Sequence, residues 1–362
     1  MIKVRLSRRE KYRKARNEAT AKFPCKPDEV FTTNPNIRKN WKLYNLASTS
    51  EKELFLKIIN SAVNSMNIEY KYNKRGQPPL PLDDMLKIII IKVYNGFSAR
   101  RTIFDLKLAY ALGYVRHVPH FNSICTYMRN PELYPLLQKL CKVLAKPLKN
   151  IETKFAIDAS GFGEPHRRKW RDVRFSRVSR YKREIKDYKK LHAVSGVITN
   201  IISSAKVTIG KAGDSPHFID LVRQTSFNFK IKEVFGDPAY LAKKNVDLVH
   251  QLGGVAYIKP RSNTRVRKLR ASIAWREMIA LYRDYEGVFK HHYSLRSNVE
   301  STFSMMKAKF SGFVRSKDKQ GQFNEIMAKV CAHNCAVLVM GLFALDIDLP
   351  HLNQKNALQN RR

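Results

Sequence analysis

Three carboxylates are the residues of this sequence best suited to metal-assisted chemistry: Asp158 in Ala-Ile-Asp-Ala-Ser-Gly, Asp237 in Phe-Gly-Asp-Pro-Ala-Tyr, and Glu300 in a segment of helical rhythm. Each aspartate follows a short apolar run that reads as a strand, and side chains at the ends of strands can project into a common cleft. Taken singly, each has a plainer reading, since Asp before Pro starts turns and Asp at a strand end caps the next element. With Glu300 they form an oxygen-only donor set, without histidine or cysteine, which suits Mg²⁺ or Mn²⁺ rather than zinc. Two such ions about 4 Å apart can hold a scissile phosphate, activating a water or a 3′-hydroxyl on one side and stabilising the leaving oxygen on the other. Phosphodiester chemistry is the reaction such a set would perform.

Around Glu300, Tyr293, Arg296 and Lys307 keep a spacing that one helix face can hold. At about 100° per residue the four side chains fall in a strip about 60° wide. Val299, Phe303, Met306 and Phe310 form an apolar stripe directly beside it, so the polar strip is expected at the rim of a buried face. An ordinary amphipathic helix with an Arg/Glu pair at i,i+4 accounts for Arg296 and Glu300. It gives no reason for a phenol, two cations and a carboxylate to keep one line over four turns.

The elements that must position these residues follow from the rhythm of the chain. Residues 1–80 read as a basic arm, with 13 Lys+Arg in the first fifty, and a Pro-rich break at 77–81 closes it. Residues 81–150 read as short helices: one over 82–94, one capped by Ser98 and stopped by Gly113, and a third capped by Asn122 or Ser123. Such a run fits a helix-turn-helix DNA-binding unit and equally an ordinary helical bundle. From 151 to 345 the pattern becomes strand, strand, strand, helix, strand, helix, strand, with a basic insert at about 259–290 before the segment of Glu300. Residues 346–362 form a polar tail.

Charge points the same way. The 362 residues carry 68 Lys+Arg against 30 Asp+Glu, a formal net charge of +38, so a polyanionic partner is expected. With 44% apolar residues there is enough to build a core, which excludes wholesale disorder. Residues 164–190, just after Asp158, hold 12 Lys+Arg, among them Arg167, Arg168, Lys169 and Arg171. Trp170, Phe175, Tyr181 and Tyr188 are interleaved with these cations, so nucleic-acid contact is favoured over a merely solvated face. A second basic run, 259–270, is read either against DNA phosphates or as a free loop. Five scattered cysteines without a C-x-x-C pair fit a reducing compartment; Cys331, His333 and Cys335 have metal-ligand spacing on a helix, but their apolar surroundings favour a core role. The apolar stretches at 88–91 and 335–345 are shorter than a bilayer requires, so no membrane partner is expected.

The Asp158, Asp237, Glu300 triad on this frame resembles the ribonuclease-H-like DDE transposases of prokaryotic insertion sequences. The spacing of Tyr293, Arg296, Glu300 and Lys307 is similar to the Y-R-E-K signature of the group that includes insertion-sequence families four and five. Asp-Ala-Ser-Gly, Gly-Asp-Pro-Ala-Tyr, Lys190-Leu191-His192 and Gly213-Asp214-Ser215 also resemble that group. The resemblance implies an α/β fold, a ribonuclease-H-like mixed sheet flanked by helices and preceded by a mostly helical DNA-binding region. It implies an enzyme that binds the terminal inverted repeats of its element, cuts there and joins 3′-hydroxyl ends to target DNA. Asp158, Asp237 and Glu300 would hold two Mg²⁺ or Mn²⁺ ions, while Tyr293, Arg296 and Lys307 would hold the backbone of the transposon end. The implied partners are double-stranded DNA and further copies of the chain, a homodimer or higher in the end complex, in a prokaryotic cytoplasm at the nucleoid. A nuclease that cuts without joining and an inactive basic DNA-binding protein are the competing readings.

Overall fold

The computed structural model describes residues 40–69, 78–163, 188–261, 264, 272–345, 347 and 349. Most of the expected basic segment at 164–190, most of the basic run at 259–270, the first 39 residues and nearly all of the tail lie outside them. The expected arm is interrupted by a helix, α1 (Trp41–Asn64), capped by Asn40, whose Phe55, Leu56, Ile58 and Ile59 are buried. Helix α2 (Leu82–Asn95) ends at Gly96, where φ is +67°, a left-handed conformation that glycine adopts without Cβ strain. Ser98 caps α3 (Ala99–Ala111) by accepting from the Arg101 amide. The cap of α4 (Phe121–Met128) is His120, whose ring nitrogen accepts from the Asn122 amide, so Asn122 and Ser123 lie inside the first turn instead of capping it. Helix α5 (Leu133–Ala145) completes the region.

The sheet follows: β1 (Lys154–Gly163), β2 (Tyr188–Gly196), β3 (Ile202–Ile209), α6 (Phe218–Ser226), β4 (Glu233–Gly236), α7 (Lys243–Gln251) and β5 (Val255–Ile258). Its strand order is β3-β2-β1-β4-β5, antiparallel among the first three and parallel from β1 to β5. The β2–β3 hairpin turns at Thr199-Asn200, with Asn200 at φ +61°, and the buried Glu152 carboxylate accepts from the backbone of Ile198 and Thr199 to hold that turn. β1 runs five residues past Asp158, because pairing with β2 continues to Gly163 opposite Tyr188. A strand expected to end in a carboxylate therefore carries it at mid-length.

Helices α8 (Ile273–Asp284), α9 (Glu286–Ser294), α10 (Asn298–Phe310) and α11 (Lys319–Ala344) close the chain. α11 is long and apolar enough to cross a membrane by length and composition, but it packs against α1, α2, α5 and β3 with most of its surface buried. Its residues Cys331, His333 and Cys335 are core: Cys331 donates to the Leu137 carbonyl, and the His333 Nε2 bonds the Asn200 carbonyl at 2.9 Å. The outer strand β3 is finished by side chains from these helices. Asn334 bonds both the amide and the carbonyl of Ile202 at 2.9 and 2.8 Å, Gln138 donates to the Ala205 carbonyl, and the Tyr134 hydroxyl accepts from the Val207 amide. The helical region and the sheet thus share one apolar core.

Candidate active site

Two parallel neighbours in the sheet bring the aspartates together. Ile157 of β1 lies opposite Gly236 of β4, so the next residues along each strand, Asp158 and Asp237, emerge side by side. The Asp158 Oδ1 accepts from the Ala159 amide at 2.8 Å. Asp237 leaves its strand in an extended conformation and caps the one-turn 3₁₀ helix Pro238–Tyr240 by accepting from the Ala239 amide at 3.0 Å. Its turn-forming role is therefore present, and one of its oxygens is engaged in it. The carbonyl of Pro238 in that turn accepts from Arg261, which brings the start of the basic insert to the site.

The segment from Tyr293 to Lys307 is not one helix. α9 ends at Ser294, Leu295–Ser297 form a 3₁₀ turn, and Glu300 stands in the first turn of α10. The serines mark the change: Ser294 and Ser297 each donate back to the carbonyl three residues earlier, competing with the helical ladder. A single face computed at 100° per residue does not describe the four residues. The turn nevertheless seats Arg296 against the sheet. Its guanidinium lies between two carboxylates, with Nη2 donating to Glu300 Oε1 at 2.8 Å and Nη1 at 3.7 Å from Asp158 Oδ2, and it stands 6.0 Å from the centre of the Tyr293 ring. Lys307, two turns beyond Glu300, points to β1 and donates to Ser160 Oγ at 2.7 Å, over the face of Phe162. The apolar stripe is as expected: Val299, Phe303, Met306 and Phe310 are buried. At roughly 1.5–3 kcal/mol for each large side chain, this stripe outweighs the few tenths of a kcal/mol of the Arg296–Glu300 pair in holding α10 down.

Asp158 feels the charges of both other carboxylates. Burial pushes the Asp158 carboxyl above its ordinary range, opposed by the Ala159 amide and by Arg296, and reinforced by the negative charges of Asp237 and Glu300. Burial likewise raises the Tyr293 phenol. Tyr240, from the Gly-Asp-Pro-Ala-Tyr context, is buried close enough to feel Asp158 and Asp237, and its hydroxyl has no hydrogen-bond partner. The donor set is hard oxygen throughout and fits Mg²⁺ or Mn²⁺ in kind. As the side chains stand, no three of the described metal-ligating groups converge on a single point, and Arg296 lies between two of the carboxylates.

Several supporting residues escaped sequence reasoning. Ser160 is the seat of Lys307. His292, immediately before Tyr293, bonds the Glu233 carboxylate of β4 at 2.8 Å and stacks on Tyr257 of β5, with Lys154 on the other Glu233 oxygen at 2.9 Å. These contacts pull the Glu233 carboxyl below its ordinary range, the hydrogen bond with His292 opposing the effect of burial. They fasten the end of α9 to the parallel half of the sheet. Their only sequence signal is a histidine beside the signature tyrosine. Arg167, Arg168, Lys169 and Arg171 lie outside the described residues.

The frame agrees with comparison to known families. Residues 149–335 match the family described as the transposase DDE domain. The chain belongs to that family. Residues 44–130, spanning α1 to α4, match a second family, described as Transposase domain (DUF772). No solved structure matches the chain. Membership in the transposase DDE domain family makes DNA the substrate class and a divalent metal ion the general cofactor of the chemistry.

Proposed function

We propose that this chain is an insertion-sequence transposase of the group that carries the Y-R-E-K signature, the group of families four and five. It binds the terminal inverted repeats of its element, cuts DNA strands there and joins the freed 3′-hydroxyl ends to target DNA. The observation that carries this reading is the seating of Arg296 between Asp158 and Glu300, with Asp237 emerging beside Asp158. A phosphate-gripping cation paired with two of the carboxylates, and the third beside one of them, support this reading in a protein whose net charge of +38 suits a polyphosphate substrate.

Asp158, Asp237 and Glu300 would hold two Mg²⁺ or Mn²⁺ ions, which when bound supply an activated oxygen nucleophile and stabilisation of the leaving oxygen. In cleavage, a water oxygen bonds to phosphorus while the bond from phosphorus to the 3′ oxygen breaks, leaving a 3′-hydroxyl and a 5′-phosphate. In joining, that 3′-hydroxyl takes the place of the water on a target phosphate. Arg296 offers paired donors that match a phosphate, Lys307 a mobile point charge, and Tyr293 a ring and a hydroxyl at the same rim. The partners are duplex DNA at the element ends and target, with two or more copies of the chain in the end complex.

The test is incubation of the purified protein and Mg²⁺ with DNA carrying the short inverted repeats that bracket the gene. Cut and joined products are expected. Cutting without joining would make the chain a nuclease on this fold, and binding without cutting would make it a DNA-binding protein that has lost catalysis.

A further inference from the structure

Arg296 is placed oddly for a residue that waits for DNA. Its guanidinium is not extended toward solvent but is drawn inward, bonded to Glu300 at 2.8 Å and 3.7 Å from Asp158. Among the described residues it is the cation paired with both carboxylates, and Asp158, largely removed from water, also feels the negative charges of Asp237 and Glu300. Gathered carboxylates need a counter-charge, and here the chain supplies its own.

Resting on the proposed function, we propose that Arg296 is the resident counter-cation of the DNA-free site: it fills the place between Asp158 and Glu300 and must leave before a divalent ion can be held there. Two features of arginine make this competition unavoidable. A guanidinium does not give up its proton in a protein, so unlike lysine it cannot stay in place by becoming neutral. A divalent ion lodged between the same carboxylates would also lie within a few ångströms of that positive charge, where like charges repel by several kcal/mol at the effective dielectric of a half-buried site. The guanidinium therefore has to turn away. At the rim it has the Tyr293 ring, and a DNA phosphate there would accept both of its donors. Occupancy by metal and engagement of the DNA backbone are thus linked through one side chain: the phosphate that draws Arg296 out opens the carboxylates to the ion.

The inference is tested on the full-length protein without DNA, by titrating Mn²⁺ and following the free aqua ion by electron paramagnetic resonance. Arg296→Ala and Arg296→Gln, checked for folding by circular dichroism, are compared with wild type, each also combined with Asp158→Asn. Both Arg296 variants should bind Mn²⁺ at least ten-fold more tightly than wild type, and Asp158→Asn should cancel the gain. Unchanged, weaker or undetectable Mn²⁺ binding in both Arg296 variants would overturn the proposal and make Arg296 an aid to the site, not its occupant. Tight binding that is indifferent to Asp158→Asn in every background would instead remove Asp158 from the ligands, and the proposed function would fail with it.

Discussion

The ammonium of Lys307 donates to Ser160 Oγ at 2.7 Å, and Ser160 stands two residues beyond Asp158 on the same strand. A cation on the last of the α helices around the site is thereby fixed on the central strand, beside a candidate metal ligand. Burial lowers the Lys307 pKa, as expected for an ammonium held against an apolar ring. Lys307→Ala should impair DNA cleavage by ~10-fold or more while shifting the melting temperature little, the loss expected of one charge-assisted contact to phosphate. Ser160→Ala should give a smaller loss in the same direction. Thermal unfolding run beside a cleavage assay decides, since a fall in melting temperature that matches the fall in activity would make the contact structural.

Asp158→Asn, Asp237→Asn and Glu300→Gln should each abolish strand cleavage and joining while leaving DNA binding largely intact. A carboxamide keeps the shape and removes the charge that a divalent ion requires. Near wild-type cleavage of element-end DNA by any one of the three would remove that residue from the set.

The succession of strands and helices along the chain and most element limits were legible in the sequence because glycine, proline and runs of β-branched residues punctuate them. Ser98, Gly113, the Thr199-Asn200 turn and Gly253 all act as their types predict. What was not legible depends on contacts made between distant segments. The extension of β1 through a Ser-Gly pair comes from pairing with β2, and the local residues alone suggest a turn there. The break at Ser294–Ser297 carries no glycine or proline, and only the two serines that bond back to the ladder announce it. Of the four spaced residues Tyr293, Arg296, Glu300 and Lys307, Arg296 pairs with both Asp158 and Glu300, although the continuous helix assumed for them does not exist.

Disturbing the link from α9 to the sheet should reach the site indirectly. His292→Phe keeps a ring over Tyr257 but removes the bond to Glu233, so Tyr293 and Arg296 lose one of the contacts that set their position. Cleavage should fall several-fold, as small displacements of positioning groups do, with little change in affinity for duplex DNA measured by fluorescence anisotropy. Unaltered turnover would show that α9 is positioned by its apolar contacts alone.

Two buried imidazoles give stability a dependence on acid. His333, bonded to the Asn200 carbonyl, and His192, bonded to Thr208 and packed on His217, both have pKa values lowered to about 4 from the ordinary 6.5, chiefly by burial. Between those values the unfolded chain binds more protons than the folded one. Their stabilising contribution is therefore complete above pH 6.5 and is lost as pH falls toward 4, by at most about 1.4 kcal/mol per pH unit for each proton. Denaturant unfolding of His333→Gln and wild type at a series of pH values should show a shallower slope for the variant between 4 and 6.5. Parallel slopes would mean that His333 does not report the transition.

Binding to duplex DNA should weaken steeply with salt, at about 0.9 log units of affinity per log unit of salt for each phosphate neutralised. Replacing Arg167, Arg168, Lys169 and Arg171 with alanine should flatten that slope. A slope unchanged by the four substitutions would place the segment away from the nucleic acid.

The side chains of Asn334, Gln138 and Tyr134 that finish strand β3 also decide how copies of this chain can meet. Backbone groups of Ile202, Ala205 and Val207 that an incoming strand would use are already spent within the molecule, and α5 and α11 pack against this strand. Continuing the sheet from one subunit into the next through this margin would require breaking those bonds. In the proposed end complex, copies of the chain would meet elsewhere, and the abundant positive charge makes the nucleic acid itself a natural part of the joint.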